Sequence, residues 1–172
     1  TEVDELLAKN ELDFNYTNRK IFNAYQKSYT IRKVIKDKKL LELLSFILDK
    51  NVLPFQSINF LKGSEQQAHS DSIHMSTFPN GYLLAAWFAL EDISIEQGPL
   101  SYFPGSHHLP YITNADYENT SNHWTLDGSA NIKFEKKVQE VIAKNKLTKQ
   151  IFLAKKGDVF ICEAGDIIAT DG

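Results

Sequence analysis

The sequence predicts a mainly β fold, an all-β sandwich or barrel with helical buttresses, from two observations. Short aromatic or β-branched runs bounded by Gly, Pro, Asn or Asp occupy the middle and later parts of the chain, and amphipathic helical patterns gather mainly before them. No internal repeat or low-complexity segment suggests a different architecture.

Taken in order, the stretch around Ile21, Phe22 and Tyr25 has apolar residues at a helix-like spacing. From Asp37 to Lys50 the pattern is stronger: Leu40, Leu43, Leu44, Ile47 and Leu48 recur at three- and four-residue intervals, with Asp37 placed to cap the start. The strand candidates are Phe55 to Leu61, Tyr82 to Leu90, Leu100 to Phe103, Gln150 to Leu153 and Asp158 to Cys162. Between the third and fourth, Phe134, Val138, Val141 and Ile142 repeat the helical spacing. The polar stretch from Thr113 to Asn131 has little periodicity and reads as a binding loop, a lid or a surface insertion.

Bulk properties narrow the function. A length of 172 residues suits one domain, with 42% hydrophobic and 24% charged residues in ordinary soluble proportions. Nineteen basic and 22 acidic residues give a charge of -3, and the lysines are scattered rather than gathered into a basic stripe, which argues against nucleic acid as a partner. The longest apolar run, Tyr82 to Leu90, is about half of the ~20 residues that a membrane-spanning helix needs. No charged-then-apolar signal segment opens the sequence, and the expectation is a cytoplasmic protein. The single cysteine, Cys162, fits a reducing compartment and reads as a small buried hydrophobe in a strand.

His69, Ser70 and Asp71 form an H-x-D triplet, and residues two apart on a strand point to one face. An imidazole and a carboxylate converging in this way supply two members of the 2-His-1-carboxylate facial triad that holds Fe(II). By itself the triplet is equally an exposed polar pair. His74, five residues after His69, falls on the opposite face unless a bulge or turn intervenes. His107 and His108 follow Pro104, Gly105 and Ser106 in a turn-rich context, and His123 lies in the polar loop.

The order of segments around the triplet is more specific. Q-Q-A-H-S-D-S-I-H (Gln66 to His74) is followed by W-F-A-L-E-D (Trp87 to Asp92), G-P-L-S-Y-F-P-G-S-H (Gly98 to His107) and K-K-G-D-V-F-I (Lys155 to Ile161). This succession resembles the phytanoyl-CoA dioxygenase family, over about Pro54 to Ile161. The resemblance implies a double-stranded β-helix, the cupin-like jelly roll, as one domain over residues 1–172 with a helical part to about residue 50 and a core from about residue 54. It implies Fe(II) bound by His69 and Asp71, 2-oxoglutarate as cosubstrate in a pocket lined by Trp87, and O₂ with a small organic molecule as the other reactants. Ser106 and His107, in the P-G-S-H turn, become candidates for substrate contact. The implied reaction couples decarboxylation of 2-oxoglutarate to succinate and CO₂ with hydroxylation of the substrate. The carboxylate of Asp71 favours hydroxylation over halogenation, because related halogenases carry a small residue there.

The sequence departs from that pattern after the K-K-G-D strand. Members of the family continue to a second iron-binding histidine and then to an arginine for the far carboxylate of 2-oxoglutarate. Here the sequence reads C-E-A-G-D-I-I-A-T-D-G (Cys162 to Gly172), with Ile168 or Ala169 in the place of the histidine. An incomplete or altered C-terminal sequence, a natural pseudoenzyme, and a replacement ligand such as Glu163 or Asp166 all fit, and the first is preferred. Regular structure is expected to stop soon after Cys162. The functions in competition are an oxygenase, a non-catalytic jelly-roll binding protein and a metal-dependent cupin of the isomerase kind.

Overall fold

The computed structural model describes residues 1–15, 20–61, 63, 65–75, 77–117 and 129–170. The chain divides into two compact units, Thr1–Ser64 and Glu65–Gly172.

In the first unit, α1 (Glu2–Ala8) is started by a capping box between Thr1 and Asp4. Strand β1 (Lys20–Phe22) precedes α2 (Tyr29–Ile35) and α3 (Lys38–Leu48), and β2 (Ile58–Phe60) returns to pair antiparallel with β1. Asp37 caps α3 as its position suggests, accepting from Leu40 N at 3.0 Å. Asp49, in the left-handed region at φ 50°, terminates it. The helix expected around Ile21 and Phe22 is a strand. Asn23, at φ 56°, breaks any helical path from Phe22 to Tyr25 and sends its N–H to Ser57 O at 2.7 Å. Only a one-turn 3-10 segment, Ala24–Gln26, follows. Leu12, Ile21 and Ala24 form the buried centre of this unit, packed by Val3, Leu6, Leu7, Phe14 and Ile31.

The second unit carries two antiparallel sheets. One has the order β3 (His69–Ser70), β8 (Ile167–Thr170), β5 (Leu100–Tyr102), β6 (Gln150–Phe152); the other pairs β4 (Leu84–Phe88) with β7 (Val159–Glu163). The expected strands from Tyr82, Leu100 and Gln150 onward are therefore present, each trimmed by a residue or more, and the one from Asp158 to Cys162 is present shifted by one residue. The expectation that structure stops after Cys162 is overturned: β7 runs to Glu163, turns through Ala164 to Asp166 and continues as β8, which pairs on both sides. Ile-Ile-Ala-Thr is a short alternating strand that occupies the gap between β3 and β5.

Helix α4 (Ser129–Lys144) covers one face of the larger sheet, so the polar stretch ends at residue 128, and Asn114–Tyr117 within it forms a 3-10 turn. Phe134 and Val138, almost wholly buried, pack with Ala68, Phe103, Ile167 and Ala169. The opposite face looks toward β4 and β7. Tyr102 meets Phe160 with ring centroids 5.2 Å apart, Phe152 meets Phe160 at 5.3 Å, and Trp87 meets Phe152 edge-on at 6.1 Å. Two sheets thus enclose an aromatic interior, with α4 sealing the outside of one.

The motif segments Trp87 to Asp92 and Lys155 to Ile161 lie side by side. Gly157 N donates to Ala89 O at 2.8 Å and Ala89 N to Asp158 O at 3.0 Å. Asp92 accepts from Lys156 N at 2.9 Å and from Lys155 Nζ at 3.0 Å. Among the described residues no helix is long and apolar enough to cross a membrane.

Candidate metal centre

His69 and Asp71 converge, although by a different route from simple strand alternation. His69 is on β3, whereas Asp71 opens a 3-10 turn, Asp71–Ile73, into which the chain bends after Ser70. The turn is anchored by Ser72 N donating to Ala164 O at 2.8 Å. His69 Nε2 and Asp71 Oδ1 are 3.5 Å apart. The His69 side chain is 8% exposed and the Asp71 side chain 32%, so one donor is buried and the other lies at the rim.

The other imidazole nitrogen fixes the tautomer. His69 Nδ1 lies 2.7 Å from Gln67 O, which can only accept, so Nδ1 carries a proton and Nε2 is the ring nitrogen left to face Asp71. A hydrogen bond of this type is the usual support of a metal-bound histidine. His69 Nε2 and Asp71 Oδ1 are accordingly the two atoms that could hold a metal.

The remaining candidates are engaged elsewhere. The exposed His74 ring lies edge-on to His69 with centroids 6.1 Å apart, and Gln66 Nε2 donates to its Nε2 at 3.2 Å. Glu163 accepts from Tyr111 Oη at 2.5 Å. Burial, reinforced by that bond and charge, raises the Tyr111 hydroxyl well above the usual phenol range. Asp166 accepts from Glu163 N at 2.9 Å and from Ser106 Oγ at 3.2 Å, with His107 Nδ1 at 3.5 Å. Both carboxylates are thus occupied in holding the β7 to β8 turn. Among the described residues, no three His, Cys, Asp or Glu side chains form a group that could hold a metal ion. His123 lies outside the described residues.

Ser106 is buried, and its hydroxyl donates to Asp166 while accepting from Ile167 N at 2.9 Å, so it is consumed in fixing the start of β8. His107 is half-exposed and its ring lies against His108, with centroids 3.9 Å apart. Trp87 is on β4, paired with β7 rather than with β3, and its ring packs on β6, the edge of the larger sheet away from His69. Cys162 is buried as expected; burial, then the charges of Asp71 and Asp166, push its thiol up to about 12.

Residue spacing alone did not locate Tyr111 or Gly165. The Tyr111 ring lies flat against Gly165, where a Cβ would stand only 3.0 Å from Cζ. A glycine in the turn before β8 was the one sequence signal of this close approach.

The antiparallel two-sheet architecture with a metal-type pair at one end is that of a double-stranded β-helix. In shape the chain is similar to the carbocyclase SnoK from nogalamycin biosynthesis, a non-haem alpha-ketoglutarate-dependent enzyme (TM-score 0.75, 16% identity, 99% of this chain and 66% of that one). It is also similar to EctD from S. alaskensis with bound Fe (TM-score 0.67, 19% identity, 98% and 59%). The model of the family "Phytanoyl-CoA dioxygenase (PhyH)" matches residues 7–163, and the chain belongs to that family. It is 44% identical over 45 residues to phytanoyl-CoA dioxygenase domain-containing protein 1 of Bos taurus, covering 26% of this chain and 16% of that protein. With the Danio rerio protein of the same name it shares 35% identity over 69 residues, 40% of this chain and 23% of the relative. The matched segments thus span less than a quarter of these relatives. Among the similar solved structures, the epimerase SnoN is in complex with Fe3+ and alpha-ketoglutarate, and EctD holds Fe. A facial triad takes three protein donors, and among the described residues two, His69 Nε2 and Asp71 Oδ1, are placed together.

Proposed function

We propose that this chain is the jelly-roll domain of an Fe(II)- and 2-oxoglutarate-dependent oxygenase that hydroxylates a small organic molecule in the cytoplasm, with succinate and CO₂ as co-products. The observation that carries the proposal is the 3.5 Å approach of His69 Nε2 to Asp71 Oδ1, with His69 Nδ1 held by a backbone carbonyl. When bound, the iron and its cosubstrate supply the oxidising power. The protein's residues supply placement. Gln67 O orients the imidazole, the Asp71 carboxylate would hold the metal with His69 and offset its charge, and the aromatic layer around Trp87 and Phe160 keeps water from the interior. We assign His107, rather than the internally bonded Ser106, to contact with substrate, and leave Trp87, whose ring packs on Phe152 at the edge away from His69, to the aromatic interior.

A second reading, a jelly-roll protein that binds a small molecule without turning it over, is favoured by one observation: the described residues around His69 and Asp71 provide no third metal donor. Anaerobic titration with Fe(II) and 2-oxoglutarate separates the two. A weak visible charge-transfer band, with iron-dependent CO₂ release from labelled 2-oxoglutarate once air is admitted, supports the oxygenase; neither signal, in folded protein, supports the binding protein.

A further inference from the structure

We infer that Ile168 occupies the third facial position beside His69 and Asp71, so that a hydrocarbon side chain stands where the remaining protein donor of a complete metal centre would be. The inference rests on reading His69 and Asp71 as metal ligands, and otherwise on strand register.

Three donors on one face of an octahedron must each lie at about a right angle to the other two. A donor that joins His69 and Asp71 must therefore come from backbone running beside β3, with its side chain on the same face as His69. Among the described strands, β8 is the neighbour of β3, and its register sets Ile168 directly across from His69. Directly opposed residues of an antiparallel pair leave the sheet on the same face, with Cβ atoms about 4.5–5.5 Å apart.

The neighbours of Ile168 are excluded in turn. Ile167 and Ala169 point the other way, into the buried cluster with Phe134 and Val138. Thr170, back on the inner face, is two residues further along, and its hydroxyl accepts from Gln66 N at 3.0 Å. Asp166, two residues earlier, is held by Glu163 N and Ser106. On the far side of Ile168 the next inner-face residue is Tyr102, which packs on Phe160. Position 168 is therefore the place on this sheet from which one side chain could complete the pair, and isoleucine brings no lone pair to it.

The test is a Co(II) titration without 2-oxoglutarate, read by visible absorbance and equilibrium dialysis, on the parent chain, Ile168→His, Ile168→Cys and Ile168→His combined with His69→Ala. Circular dichroism establishes that each variant is folded. Ile168→His is expected to bind Co(II) roughly 100-fold more tightly than the parent, and the added His69→Ala to return it to the parent level or below. Ile168→Cys, smaller than the native residue and so tolerated even where histidine is not, is expected to add a sulfur-to-cobalt charge-transfer band that the parent, with only Cys162, lacks. Folded variants with parent affinity and no new band would overturn the inference. So would a parent that already binds as tightly as Ile168→His and loses that affinity in His74→Ala, Glu163→Gln or Asp166→Asn. If Ile168→His binds Co(II) but 2-oxoglutarate leaves its spectrum unchanged, the oxygenase reading fails and the assignment of position 168 stands.

Discussion

Ile168 and His69 face each other across the β3 to β8 ladder, and both side chains enter the space between the two sheets. One strand thereby serves two tasks. Its odd positions, Ile167 and Ala169, anchor the sheet to α4, while its even positions line the interior beside the metal-type pair. Strand β8 is packed in the manner of a complete jelly roll, yet the chemistry at its central position is that of a core.

This arrangement predicts a low activity for the chain as its sequence reads. With two donors among the described residues, iron would be held loosely and the geometry in which oxygen meets the cosubstrate would not be fixed. Iron-dependent CO₂ release from labelled 2-oxoglutarate should be near background, and should rise in Ile168→His. Robust turnover by the parent would show that another group completes the site.

Asp71→Ala, made in the Ile168→His background, should lower that release by roughly 100-fold, since one of three protein ligands and its charge are lost together. Unchanged succinate production would remove Asp71 from the ligand set. Incorporation of chloride into substrate by this variant would support the argument that the carboxylate selects hydroxylation.

The turn into β8 depends on the Tyr111 ring lying on Gly165. In Gly165→Ala the new methyl would meet three ring atoms at 3.0 to 3.3 Å, so the ring must shift and its hydrogen bond to Glu163 is disturbed. The expected cost is about 1–3 kcal/mol, in the range for overpacking a filled site. Tyr111→Phe, which loses the hydrogen bond and keeps the ring, should cost about 1.5–3 kcal/mol. Urea unfolding of both single variants and the double variant checks the coupling: because the two changes break one contact, the double variant should lose less than the sum.

Ser106→Ala tests whether the P-G-S-H turn is structural at its serine. The hydroxyl is buried and accepts from Ile167 N, so its removal leaves a buried N–H without that partner, a loss of about 1–3 kcal/mol. Made in the Ile168→His background, Ser106→Ala should leave turnover of 2-oxoglutarate per folded molecule within a factor of about two. A large fall in substrate affinity without a fall in stability would return Ser106 to the substrate site.

The jelly roll was legible in the sequence because its longer strands obey local rules. Leu84 to Phe88 and Val159 to Glu163 are apolar runs with turn residues at their ends, and Asp37 caps a helix whose apolar spacing is unambiguous. Strand β8 was not legible, because four residues after a Gly-Asp turn carry almost no pattern and their pairing with β3 and β5 is non-local. Strand β1 was misread for the related reason that Ile21, Phe22 and Tyr25 fit a helical spacing until Asn23 takes a left-handed conformation. At the site, the convergence of His69 with Asp71 could be anticipated from the triplet. The alignment of Ile168 with His69 required a register that only the folded sheet supplies.

The last prediction concerns acid stability in the first unit, where Glu2 caps α2 from a different helix. Its carboxylate accepts from Tyr29 N at 2.7 Å, from Thr30 N at 2.9 Å and from Ser28 Oγ at 2.9 Å, which places a negative charge on the open amides of a helix N-terminus. Hydrogen bonding from the Thr30 side chain and then its backbone N–H, with smaller contributions from Tyr29 and Ser28, lowers the carboxyl from 4.5 to about 2. The sign follows from proton binding. Below the unfolded value the unfolded chain takes up a proton that the folded chain refuses, so folding loses stability as pH falls. The contribution of Glu2 should therefore be fully present above about 4.5, decline below it, and be gone once pH has passed through about 2. Glu2→Gln keeps the shape and removes the charge. Hydrogen exchange at the Tyr29 and Thr30 amides should be faster in Glu2→Gln than in the parent near neutral pH, and the two proteins should converge as pH approaches 2. A parent and variant that differ equally at every pH would show that the carboxylate acts through shape alone, and would remove Glu2 as the charged cap of α2.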